Sequence, residues 1–394
     1  MTRKAANSSK GRAAVVGAAL IALMGIDTAN AQAPQASERA KEVARVKAFW
    51  TAERIAAAQP RDLVIDERGL GYLRGSNGRL IPYGHRTPAT PEQPLARGGN
   101  GGGNGGGGPG GGGGGGGGDT GDTGFENVKN AAWGNGGIVQ TAAGRIFFAF
   151  GESGYVCSGT LINDGETASD RSIVLTAAHC MYDDVNKVFA DAAIFIPNQA
   201  NTSGTATDAD CSNDPEGCWV ADFGVVSNGW DAAVFPNNIP SDYGFYALGT
   251  NSDPVYWQND GQSVAMDTVI TPMEVSFGPA TLDIYTRALG YSYSDYPNFM
   301  YCGEPVTGSQ YDGYLLPNCG LSGGSSGGPW SQSTAVDLGT GPIMSVNSYG
   351  PSLARNTWVD RALTIRMRPV CSRLQRMLLR TRQLVLWAAA AKYL

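Results

Sequence analysis

Histidine is the scarcest chemically useful residue in this chain: there are two, His85 and His179, in 394 residues. That scarcity excludes one enzyme class at once. The run Gly324-Ser325-Ser326-Gly327-Gly328 fits the G-x-S-x-G nucleophile elbow of α/β-hydrolases, but that architecture places its histidine after the serine. Nothing after position 179 is a histidine, and no alternation of strands and helices typical of such sheets is visible. CxxC pairs and His-rich clusters are also missing, so the seven cysteines offer no metal-ligand spacing, and neither a metal nor a cofactor is expected. Basic excess is absent: the formal net charge is −6, which argues against a nucleic-acid partner. Long apolar runs are absent too, save one near the start that is too short to span a bilayer.

That run is AAVVGAALIALMG, Ala13 to Gly25. It follows Arg3, Lys4, Lys10 and Arg12 and precedes Ala29-Asn30-Ala31. A basic start, a short apolar core and a small-x-small site read as a signal peptide over 1–31, removed on export. The mature protein is then expected outside the cytoplasm, extracellular or periplasmic, with no membrane span and as a monomer. Export favours disulfides over free thiols.

Texture divides the rest. Residues 32–97 read as a pro-region, with a helix over Ser37–Ala58 that stops before Pro60 and an extended, Pro-rich remainder containing His85. Residues 98–124 are nearly pure glycine with nothing to bury, and read as a linker. From Phe125, short apolar runs such as RIFFAF, YVCSGTLI and SIVLTAA alternate with Gly, Asn, Asp and Ser clusters. This pattern predicts an all-β barrel or sandwich. The body is placed at 125–352 and a basic tail at 353–394, where SRLQRMLLRTRQLVLWAAAAKYL has the pattern of an amphipathic helix.

A serine becomes a nucleophile only when a base takes its proton. His85 sits among prolines and reads as an ordinary exposed side chain. His179 closes the apolar run VLTAAHC, and LSGGSSGGPW surrounds Ser326 with glycines. The order is histidine first and serine later, with an acid to be found between them.

TAAHC (Thr176–Cys180) and GSSGGP (Gly324–Pro329) resemble the two signatures of trypsin- and chymotrypsin-like serine peptidases. CSGTLI, ALGY and SVNSYG are most similar to the bacterial branch that includes glutamyl endopeptidases. The resemblance runs from Gly137 to Gly350 and implies two packed six-stranded antiparallel β-barrels with the active site between them. It implies a secreted serine endopeptidase acting on polypeptides through an acyl-enzyme, made as a precursor. His179 is the implied base and Ser326 the nucleophile, with the N–H groups of Gly324 and Ser326 as the oxyanion hole. Asp231, opening DAAVF, resembles the family's acid-bearing segment and is the preferred acid; Asp222 in ADFGVV is the alternative. Cys157 with Cys180 follows as a family disulfide; Cys211 with Cys218 and Cys302 with Cys319 fit the same arrangement, which leaves Cys371 over.

Departures from the family narrow the expectation. Ser325 stands where trypsin-like zymogens carry the aspartate that binds a new N-terminal amine, so that form of activation is expected to be absent. Gly320, Ser348, Tyr349 and Gly350 are the implied substrate-binding residues. Gly320 supplies no carboxylate for Arg or Lys, and Asn347 and Ser348 replace the histidine that would meet Glu. Uncharged side chains are therefore expected at the cleaved bond. The competing class is a catalytically silent, secreted homologue that acts as a binding protein.

Overall fold

The computed structural model describes residues 33–84, 125–351 and 363–365, apart from 76, 166–170, 206, 250–263, 296, 309–310, 312, 333–334 and 336–338. The expected signal peptide, the Gly-rich run, His85, Cys371 and the helix expected over 372–394 lie outside these residues. Residues up to Ala48 form one compact unit and those from Phe49 onward a second.

The single helix expected over Ser37–Ala58 is two: α1 (Ala33–Phe49) and α2 (Ala52–Ala57). The break falls at Trp50-Thr51. Thr51 caps α2 by accepting from the Arg54 N–H, and Trp50 is drawn aside because its indole donates to the Ala192 carbonyl at 2.5 Å. The segment expected to be extended forms β1 (Gln59–Pro60), β2 (Asp62–Ile65), β3 (Gly71–Arg74) and β4 (Leu80–Pro82), with β2, β3 and β4 joined as an antiparallel meander.

The body begins with β5 (Val128–Ala132) and a short helix α3 (Gly137–Ala142). Next come β6 (Ala143–Phe150), β7 (Ser153–Ile162), β8 (Arg171–Thr176), a small hairpin of β9 (Tyr182–Asp183) and β10 (Val188–Phe189), β11 (Asp191–Pro197), β12 (Trp219–Val226), α4 (Asn228–Ala232) and β13 (Gly244–Gly249). The order β7-β6-β11-β12-β13-β8, with β8 returning to β7, closes a six-stranded antiparallel barrel. Ile146, Phe148, Leu161, Val174, Leu175 and Phe195 are buried in its core. RIFFAF is apolar on both faces for a reason: Phe148 joins the barrel core, whereas Phe147 packs against Trp50 with ring centroids 5.5 Å apart. Burying each of these rings is worth roughly 1.5–3 kcal/mol.

The second half contains β14 (Tyr285–Gly290), β15 (Met300–Pro305), β16 (Thr307–Gly308), β17 (Gly313–Leu315), β18 (Pro329–Ser331), β19 (Ser345–Pro351) and β20 (Leu363–Ile365). These strands form one antiparallel sheet in the order β16-β17-β20-β19-β18-β14-β15, with β5 at its edge. Its core gathers Ala288, Val306, Tyr314, Leu316 and Trp330 around the Cys302–Cys319 disulfide. β20 belongs to this sheet although it lies in the stretch expected to be a tail.

One buried acid lies outside both cores. Asp214, beside the Cys211–Cys218 disulfide, is 6% exposed and its Oδ1 has no hydrogen-bond partner among the described residues. Burial pushes its carboxyl from 3.8 up to about 7. Its folded-state pKa is thus raised, so the folded chain keeps a proton that the unfolded chain has released between those two values, and stability falls as pH rises through that window. Asp214→Asn is expected to flatten this decline: urea midpoints measured at about pH 4 and about pH 8 will lie closer together than in the parent chain. An unchanged spacing would refute the assignment.

Candidate active site

β8 ends at Thr176 and the chain turns through a single 3-10 turn, Ala178–Cys180, that holds His179. The turn is tied to β7 by the Cys157–Cys180 disulfide. Cys157, Cys180 and His179 lie close together, but both sulfurs are spent in that bond and offer no thiolate to a metal.

The acid beside His179 is Asp242. Its Oδ2 lies 2.7 Å from His179 Nδ1, and its Oδ1 accepts the His179 backbone N–H at 2.8 Å. Ser348 Oγ donates to the same Oδ2 at 2.5 Å. Three donors thus hold a carboxylate that is fully buried, which is what a charge needs to survive out of water. A carboxylate on Nδ1 leaves the proton there and the lone pair on Nε2, the tautomer of a base. Nε2 is buried and has no hydrogen-bond partner among the described residues.

This corrects the expectation for Asp231. DAAVF is not a strand: Asp231 sits on α4, accepts a hydrogen bond from the Tyr182 hydroxyl at 2.6 Å, and has Lys187 Nζ 3.8 Å away. Burial, together with that hydrogen bond and the charge of Asp231, pushes the Tyr182 phenol up to about 12. Asp222, the alternative, faces Arg171 at 3.3 Å on β12. Asp242 stands in SDYGFYALG, an acid running into an apolar strand of the barrel. What separates the two is whether the apolar run is a strand, and four-residue runs such as AAVF do not settle that.

Ser326 lies in the loop between β17 and β18 and is 7% exposed. The loop crosses the left-handed region at Gly324 (φ +91°) and Gly327 (φ +83°), and a Cβ at Gly327 would come within 2.1 Å of Thr176 Oγ1. Glycine is required there by both conformation and space. Ser326 is bound to the histidine's barrel through its carbonyl, which accepts the Ser158 N–H of β7 at 2.7 Å.

A cavity beside Ser326 is lined by Leu321, Ser322, Gly323, Asn347 and the segment Ser348–Gly350. Gly320 does not line it. The Lys129 side chain of β5 lies over Gly320 instead, its Cγ 3.1 Å from where a Cβ would sit.

The other wall of the cavity comes from the N-terminal segment: Asp62, Leu63, Val64 and Arg74. β2 adds to the edge of β19 as a parallel strand, Leu63 opposite Tyr349 and Val64 opposite Gly350. The Asp62 carboxylate rests on Gly323, where a Cβ would meet it at 2.1 Å. Arg61 is buried; its guanidinium donates to the His179 carbonyl at 2.9 Å and to the Tyr83 hydroxyl at 2.7 Å, with Asp183 at 3.7 Å. Tyr83 also donates to Asp184 at 2.7 Å. None of these contacts was foreseen, because Arg61 and Asp62 stand in a short polar stretch with no pattern around them.

A closed antiparallel barrel carrying the histidine, and a second sheet carrying the serine in a glycine-rich loop, define a class: the fold is that of the chymotrypsin-like serine proteases, and the chain is similar to bacterial members of that class. More particularly, residues 129–252 match the family model for the lysyl endopeptidase C-terminal domain. Among solved structures, similarity is found to the protease Anisep from Arthrobacter nicotinovorans, at 25% identity and a TM-score of 0.46, covering 62% of this chain and 95% of that one. A Glu endopeptidase in complex with MPD is 12% identical with a TM-score of 0.43, covering 64% and 96%. An inactivated protease paralogue of the scabies mite is 14% identical with a TM-score of 0.39, covering 63% and 99%. No significant match was found among curated proteins.

Proposed function

We propose that the chain is a secreted serine endopeptidase, made as a precursor and acting through His179, Asp242 and Ser326. The observation that carries this reading is the buried pair of Asp242 and His179 Nδ1, which leaves Nε2 as the basic nitrogen on a turn whose Cys180 Sγ lies 3.8 Å from the Ser326 carbonyl oxygen. Nε2 takes the Ser326 proton as Oγ attacks the peptide carbonyl, and the Gly324 and Ser326 N–H groups receive the oxyanion. The same nitrogen returns the proton to the leaving amine, and water then releases the acyl-enzyme. Asp242→Asn should lower kcat by on the order of 10⁴, with Asp231→Asn changing it little, and a fluorophosphonate should label Ser326. Labelling at Ser322 or Ser325 with Ser326 untouched, or a peptide-inert wild-type chain freed of its leader, would leave the silent-homologue reading in possession.

The precursor form has its own support. β2 fills the edge of β19 that a substrate would join as an added strand, and Arg61 grips the histidine turn. An inserted cleavage site for an unrelated protease within 98–124 tests this. Cutting should raise peptide hydrolysis at least about tenfold, and more with Arg61→Ala, since the severed leader loses its effective concentration. Equal activity before and after removal of the leader would sink the idea.

Charge decides the substrate preference. The two charged residues that line the cavity, Asp62 and Arg74, both belong to the leader, so the lining left by the body is uncharged. The match to the lysyl endopeptidase model ends at residue 252, before any residue of that lining. A charged side chain entering it would lose hydration and gain no partner. Peptide-library profiling should find cleavage after Leu, Phe, Tyr or Met ahead of Arg, Lys and Glu; a preference for any of those three charged residues would overturn this.

A further inference from the structure

A peptide plane turns its C=O and its N–H to opposite sides, so whatever holds the carbonyl of one residue aims the N–H of the next. The two N–H groups assigned to the oxyanion hole therefore depend on the carbonyls of Gly323 and Ser325. Gly323 C=O accepts the Tyr293 N–H at 2.7 Å. Ser325 C=O accepts Asn347 Nδ2 at 2.9 Å and the Gly328 N–H at 2.9 Å. The plane between these two is held by a side chain from the other barrel: Ser158 Oγ donates to Gly324 C=O at 2.9 Å and accepts the Tyr291 N–H at 2.8 Å.

Neither side chain is there by accident of packing alone. Ser158 and Asn347 are 1% and 3% exposed, and each has its hydrogen-bonding groups committed around this loop. Asn347 Nδ2 also donates to Leu289 C=O at 2.8 Å, and its Oδ1 accepts Trp330 Nε1 at 2.6 Å, which fixes which way the amide faces. Ser325, where trypsin-like zymogens carry an aspartate, turns its own hydroxyl back to Ser322 C=O at 2.7 Å and needs no cation.

We infer that Asn347 and Ser158 are positioning residues for the developing oxyanion's donors: Asn347 holds the plane that carries the Ser326 N–H, and Ser158 holds the intervening Gly324–Ser325 plane that fixes the two donor planes relative to one another, both through neutral hydrogen bonds. The inference rests on the peptidase reading. It makes the Gly324 loop rigid without a charged N-terminus, and it gives the resemblance CSGTLI a task for its second residue: the β7 serine reaches across the barrel boundary to the nucleophile loop.

The test is Ser158→Ala in the processed enzyme, with a peptide aldehyde as the tetrahedral-state probe. Removing the hydroxyl that holds the plane between the two donors is expected to lower kcat about ten- to a hundredfold and to weaken aldehyde binding by the same factor. KM and the melting temperature should stay close to those of the parent, since substrate contacts through Ser348–Gly350 are untouched. If the serine variant does not fold, Asn347→Ala carries the kcat and aldehyde readouts, though not the KM one, because Asn347 also lines the cavity. A kcat that does not change, or a rise in KM that accounts for the whole loss, would overturn the inference while leaving the peptidase reading standing. A processed wild type that neither cuts peptides nor binds the aldehyde would overturn both.

Discussion

Asp242 is the group on which the arrangement turns. A carboxylate with no exposure to water is tolerable only if donors replace its hydration, and here there are three: the His179 ring, the His179 backbone and the Ser348 hydroxyl. These donors come from two directions. His179 belongs to the turn after β8, in the closed barrel, and Ser348 to β19, in the second sheet. The requirement to satisfy one buried charge therefore fixes the position of one sheet against the other at the level of individual atoms. Both oxygens of Asp242 are engaged, so the ring can neither rotate nor slide without leaving a buried lone pair unmet.

The N-terminal segment completes the same logic. The space beside the His179 turn is closed to water: His179 is fully buried. The Arg61 guanidinium fills part of that space and is itself satisfied, by the His179 carbonyl, the Tyr83 hydroxyl and the Asp183 carboxylate. Trp50 covers the outer face of β6, and Phe235 fits against Gly71 and Gly84 with no room for a Cβ at either. A cover built from a buried cation, an indole and close-packed glycines is specific. It is also costly to open piecemeal, because each polar group loses several partners together.

What could be read from the sequence divides along physical lines. The all-β body was legible, since RIFFAF, YVCSGTLI and SIVLTAA are long enough for their apolar character to specify strands, and β6, β7 and β8 formed from them. His179 and Ser326 stood out because their neighbours are constrained: glycines where φ is positive or a Cβ has no room, and small residues beside a tight turn. The acid was not legible in the same way. Any aspartate preceding an apolar run presents the same local pattern, and the choice between Asp231 and Asp242 depends on whether the following residues pair with β8 and β12, a contact between distant parts of the chain. The N-terminal strands were missed for a related reason: DLVI and GYLR are four residues each, below the length at which alternation can be recognised, and DLVI owes its form to β19 as GYLR does to DLVI.

Glycine has two different roles in this chain, and the loop around Ser326 separates them. Between Gly98 and Gly124 the residue is simply repeated, and repetition specifies nothing. Around Ser326 each glycine answers a particular constraint: Gly327 is pressed against Ser158 and Thr176, and Gly328 leaves only 2.0 Å between a would-be Cβ and the Leu289 carbonyl. Such close approach brings the loop's carbonyls within reach of β7 and β19, and only then can Ser158 and Asn347 hold them. The absence of side chains is thus what allows side chains from two other strands to set the loop. A flexible residue type yields a rigid loop because its neighbours, and not its own propensities, determine every peptide plane.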